Sequence, residues 1–114
     1  MKVIEVRPGE HPEVKEITGT LESMQEAVQG YIECVYPWET EVCIVCNEEG
    51  KINGMEPNRA LFDENDGRLV DIIAGPFLIV GIEGPEFRSL TQDEIEAFGQ
   101  LFWLPEFWGK EEEK

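Results

Sequence analysis

The chain has 114 residues, 25 acidic and 9 basic, for a net charge of −16. That length suits one domain with one core, and 41% hydrophobic with 10% aromatic residues argues against a disordered chain. The charge argues against nonspecific binding to DNA, RNA or an anionic membrane, because fields of like sign repel, and no run of 18 apolar residues marks a membrane span.

Lys2 to Arg7 alternates in the manner of a first strand. Pro8-Gly9-Glu10-His11-Pro12 is a turn of breakers, and Val14 to Ile17 a second strand, so residues 2–18 are expected to form a hairpin. His11 is expected to be a solvated turn residue. Residues 21–29 predict a first helix: Leu21, Met24 and Val28 share a face, Thr20 is the N-cap, and Gly30 the stop. Tyr31 to Tyr36 predicts a third strand and Val42 to Cys46 a fourth. Asn47 to Gly50 is expected to turn the chain back onto Lys51-Ile52, with Gly50 in the left-handed position. Pro57 to Leu61 predicts a short helical turn, residues 63–67 an acidic turn, and Phe77 to Gly81 the last strand. Thr91-Gln92-Asp93-Glu94 is a capping box, and Leu90 with Ile95 a hydrophobic staple. The helix it opens carries the stripe Ile95, Phe98, Leu101 and Phe102, and Pro105 ends it. Residues 1–107 are thus expected to form a single domain and 108–114 a disordered acidic tail. The element order predicts an α+β fold, a small antiparallel or mixed sheet with two main helices packed on one face. The N-terminus lacks an apolar h-region, so a cytoplasmic location is expected.

Chemistry-bearing motifs are sparse. Cys43 and Cys46 have zinc or redox spacing, but they lie in an apolar strand run where residues three apart point to opposite faces. Asp63 to Gly67 invites a calcium loop, yet placing Gly67 at position 6 puts Phe62 and Ile73 where oxygen ligands belong. No metal and no cofactor are expected. No Walker motif, GxGxxG or nucleophile motif occurs, so an enzyme is the least supported class. Arg59, after Pro57-Asn58, stands out because basic residues are scarce. It is either an internal salt-bridge partner or an anion contact. In the second case Asn58 and Arg59, with Asn47 to Asn53, line a polar pocket. Five aromatics crowd the C-terminal segment. Phe102, Trp103, Phe107 and Trp108 are candidates for a homo-oligomer interface, unless the segment after Pro105 folds back over the sheet.

The blocks Gly30 to Pro37, Cys46 to Gly54, Pro57 to Leu61 and Asp71 to Gly81 carry a resemblance. The chain resembles the domain-of-unknown-function family 3846, small proteins of phages and integrative mobile elements, from Met1 to about Phe107. It departs where Met55-Glu56 replaces the family's Leu-Pro. The resemblance implies a counter-defence role and singles out Glu33, Asn47, Asn58 and Arg59 among its distinctive residues. The first expectation is a non-enzymatic protein that sequesters a small nucleotide-type immune signal. Its pocket would use Arg59 and backbone amides for phosphate, aromatics such as Tyr31 and Trp38 for the base, and Asn58, Glu33 and Asn47 as further lining. The second is an acidic DNA mimic that inhibits a basic restriction or CRISPR nuclease. The third is an interaction module of the mobile element itself. Composition favours the mimic; the dense turn motifs favour the shaped pocket, which is placed first.

Overall fold

The computed structural model describes residues 1–108. The expected acidic tail, apart from Trp108, lies outside the described residues. Eight strands and two short helices follow one another: β1 (Lys2–Val6), β2 (Glu13–Glu16), α1 (Leu21–Val28), β3 (Ile32–Val35), β4 (Val42–Asn47), β5 (Pro57–Phe62), β6 (Leu69–Ala74), β7 (Phe77–Glu83), β8 (Glu86–Arg88) and α2 (Gln92–Leu101). Six strands form one antiparallel sheet in the order β2-β1-β7-β4-β3. β8 pairs the C-terminal half of β7, on the edge that β1 occupies further back. β5 and β6 form a separate two-stranded sheet.

This overturns the expected α+β fold with two main helices on one face. Strands dominate the chain, and the helices have only 8 and 10 residues. They also lie on opposite faces. Met24 and Val28 of α1 pack with Val3, Cys43, Val45, Leu78 and Val80. Ile95 and Phe98 of α2 pack on the other face, against Ile4, Ile44, Phe77 and Ile79. Leu61 and Ile73 of the small sheet share that second cluster. The cause is in the strands. Every residue of β4 is buried, as are Phe77 to Gly81 of β7. A strand apolar at successive positions sends side chains to both faces, so both must be covered.

Several local expectations also change. Lys51-Ile52 forms no strand; the chain turns from Asn47 to Gly54. Gly50 is not left-handed; a Cβ there would stand 2.7 Å from the Ala74 carbonyl oxygen. Pro57 to Leu61 is strand rather than helical turn, because β6 supplies a pairing partner. The left-handed residue ending α1 is Gln29, at φ 66°. Gly30 serves close approach instead: a Cβ would lie 2.7 Å from Asn47 Nδ2. No helix of the described residues is long and apolar enough to cross a membrane.

Candidate functional site

Asn58 and Arg59 are both 0% exposed. β5 has an irregularity between Pro57 and Arg59, and the two side chains fill the space beneath it. Asn58 Nδ2 donates to the Val6 and Gly75 carbonyls, each at 2.9 Å. Its Oδ1 accepts from Arg59 Nη1 at 2.8 Å. Arg59 Nη2 donates to the carbonyls of Glu10 at 2.7 Å and Phe102 at 2.9 Å, and Nε also reaches Phe102, at 3.2 Å. Burial pulls the guanidinium below its ordinary pKa, and the charge of Glu106 opposes that. Among the described residues Arg59 has no salt-bridge partner, and it is not an open anion contact. It is a buried fork that ties the turn after β1 to the end of α2.

The other candidate residues do not converge on it. Asn47 is also buried; its Nδ2 donates to the Val28 and Gln29 carbonyls at the end of α1, and its Oδ1 accepts from the Glu49 amide. Trp38 is half-buried against Phe98, ring centroids 4.6 Å apart. Tyr31 is 72% exposed. Glu33 and Asn47 share a cavity of about 310 Å³ with Glu48, Glu49, Lys51 and Asp71. Lys51 in that cavity is paired to Asp71. Cys43 and Cys46 sit in the clusters on opposite sheet faces, and burial pushes both thiols up to about 12.

Of the expected interface residues, Phe102 is inside the core, edge-on to Phe77. Trp103 is half-exposed and stacks on His11 at 4.1 Å. His11 Nδ1 also lies 2.6 Å from the Trp103 carbonyl oxygen, so His11 is pinned rather than free in its turn. Phe107 is exposed, while Trp108 Nε1 donates to the Asn58 carbonyl at 3.4 Å. The segment after Pro105 thus folds back along β5, where Glu106 Oε1 also accepts from the Ala60 amide.

Two apolar clefts flank α2. No residue of that helix is fully buried. On one side lies a cleft of about 730 Å³, lined by Ile4, Val14, Ile95, Trp103 and Leu104 and bounded by Glu13 and Glu96. On the other lies a cleft of about 500 Å³, with Trp38, Phe62, Phe98 and Leu101 beside Asp63, Glu64 and Glu106. Among the described residues no lysine or arginine lines either cleft. Phe62, Leu101 and Leu104 are more than half exposed. The sequence signal for this surface was the aromatic crowding at the C-terminus. The contributions of Val14 and Phe62 carry no such signal, because each comes from a strand distant in sequence.

The model of one family, Domain of unknown function (DUF3846), matches residues 1–103. The chain belongs to that family. The DUF3846 match takes in both sheets, both helices and Trp103, and stops before Leu104. No curated protein and no solved structure matches the chain.

Proposed function

We propose that this DUF3846 protein is a non-catalytic docking protein that holds a basic, amphipathic segment of a protein partner in the clefts flanking α2. The observation that carries this reading is the pairing of apolar walls with acidic rims, Asp63, Glu64 and Glu106 on one side of α2 and Glu96 on the other, where Glu13 is already paired to Arg7 and Lys15. An apolar face drives burial, and the rims favour lysine and arginine at its margins. The net charge of −16 adds long-range attraction for such a partner. A nuclease of a defence system, with its basic DNA-binding surface, is a partner of this kind. The small nucleotide signal is not favoured: Arg59, expected to receive its phosphate, and Asn58 beside it are inaccessible and occupied by carbonyls, and the net charge of −16 repels anions.

The test is calorimetric titration of the protein with an 18-residue amphipathic lysine/leucine helical peptide. The double variant Leu101→Ser/Leu104→Ser removes one exposed leucine from each cleft. It is expected to weaken binding at least tenfold while leaving the melting temperature within a few degrees, since each leucine is worth roughly 1–2 kcal/mol when covered. Undiminished binding by the variant, or tight binding of a nucleotide by the native chain, overturns the reading.

A further inference from the structure

The two edges of the main sheet are built differently. β2 is one edge, and three of its four residues are charged: Glu13, Lys15 and Glu16. Ion pairs from Arg7 and Lys15 to Glu13 tie that edge down. Charged side chains of this sort are the usual guard of a sheet edge. β3 is the other edge, and its sequence is Ile32-Glu33-Cys34-Val35 between two exposed tyrosines, Tyr31 and Tyr36. It has no lysine and no proline.

The register shows which backbone groups of β3 are open. Glu48 N–H donates to the Tyr31 carbonyl at 2.8 Å, so Tyr31 and Glu48 form a hydrogen-bonded pair. Pairs alternate in an antiparallel ladder. Glu33 with Cys46 and Val35 with Ile44 are therefore the next bonded pairs. Ile32 and Cys34 turn their N–H and C=O groups away from β4. Among the described residues no backbone bond runs outward from either.

The same edge borders the polar cavity. Glu33 pairs with Cys46, whose side chain lies on the α2 face of the sheet. The 310 Å³ cavity on that side is lined by Glu33, Glu48, Glu49 and Asp71 against a single cation, Lys51. Lys51 is neutralised by Asp71. Glu33, Glu48 and Glu49 have no ion-pair partner among the described residues.

We infer that β3 is a strand-addition site for an extended segment of a protein partner that carries lysine or arginine at alternate positions. The added strand bonds to the outward groups of Ile32 and Cys34. Its side chains alternate between the two faces. Those on the cavity side reach Glu33 and Glu49, and the charges there select a basic strand. A second copy of this chain is disfavoured by the same electrostatics, because it brings another −16 and a second Glu33 to the edge. This site uses none of the cleft residues beside α2 and stands or falls without them.

The probe is a seven-residue peptide of alternating lysine and valine, added to the full chain and followed by amide NMR and hydrogen exchange. Saturation is expected to shift the Ile32 and Cys34 amides and to slow their exchange at least tenfold, with the β2 amides unmoved. The variant Glu33→Lys/Glu49→Lys is expected to bind the peptide at least tenfold more weakly, and Leu101→Ser/Leu104→Ser to bind it normally. Cys34→Pro removes one outward donor without touching the ladder to β4. In case that variant misfolds, the same question is put to a peptide N-methylated at alternate amides, which is expected not to bind. Three results would each overturn the inference: equal binding of the methylated peptide or of a blocked isomer with three lysines followed by valines, which marks charge attraction alone; shifts confined to the α2 clefts; or Ile32 and Cys34 amides already protected in a self-paired dimer.

Discussion

Arg59 spends its hydrogen bonds on backbone carbonyls rather than on a carboxylate. That choice makes it a structural residue whose loss strips partners from Glu10, Phe102 and Asn58 together. Arg59→Met keeps much of the volume but leaves the Phe102 and Asn58 acceptors buried and bare. The expected cost is roughly 3 kcal/mol, a fall in Tm of about 10–20 °C. Arg59→Lys is expected to recover less than half of that, because an ammonium cannot reproduce the planar fork. Calorimetric melting of the three proteins checks both statements; a melting point for Arg59→Met within 3 °C of native would show that the fork contributes little. The scarcity of basic residues marked Arg59 as unusual in the sequence. Its role was not legible there, since its acceptors lie 43 and 49 residues away.

The elements that read correctly from the sequence are those specified by neighbours along the chain. Thr20 caps α1, and the Thr91–Glu94 capping box opens α2 as expected. The hairpin of β1 and β2 also follows from adjacent residues and a breaker-rich turn. β5 did not read correctly, because Pro57 suits a helical first turn and a strand equally until a partner is present. β6 was hidden inside one long apolar run, and only Gly75, at φ 84°, and Pro76 separate it from β7. Nor does an amphipathic stripe say which face of a sheet it covers, so the placement of the helices on opposite faces had no local signature.

The start of α2 makes a pH test available. Glu94 accepts from the Thr91 amide at 2.9 Å and takes both Arg88 Nη atoms at 2.9 Å. The hydrogen bond from Arg88 is the main cause that holds its carboxyl below the ordinary 4.5. A depressed carboxylate stabilises the fold above its unfolded value and loses that contribution as pH falls through the folded one. Glu94→Gln is therefore expected to cost about 1–2 kcal/mol at pH 7, a cost that shrinks as pH falls below 4.5 and through the lowered folded value. Urea melts across an acid pH series check this; a cost that does not change with pH would assign the loss to packing. Gly81 belongs to the same feature, since a Cβ there would run into the Arg88 guanidinium.

At the scale of the whole molecule the dominant fact is unbalanced charge. Nine basic side chains cannot neutralise 25 acids, and most of the ion pairs among the described residues are exposed. Exposed pairs contribute little, while a net charge of this size repels itself. Raising sodium chloride from 20 mM to 500 mM is thus expected to raise Tm by several degrees, as screening lengths fall below about 5 Å. A Tm that falls with salt would mean that the surface pairs outweigh the repulsion. The Arg59 fork also bears on how long a folded molecule lasts. It joins three places far apart in the chain, so it is expected to close only after both sheets have assembled, beyond the folding transition state. Breaking it is then expected to leave the folding rate within about twofold while unfolding quickens by roughly a hundredfold. The lifetime of the native state, and with it resistance to proteases that attack opened chains, would rest on one side chain that contributes almost nothing to how fast that state is reached.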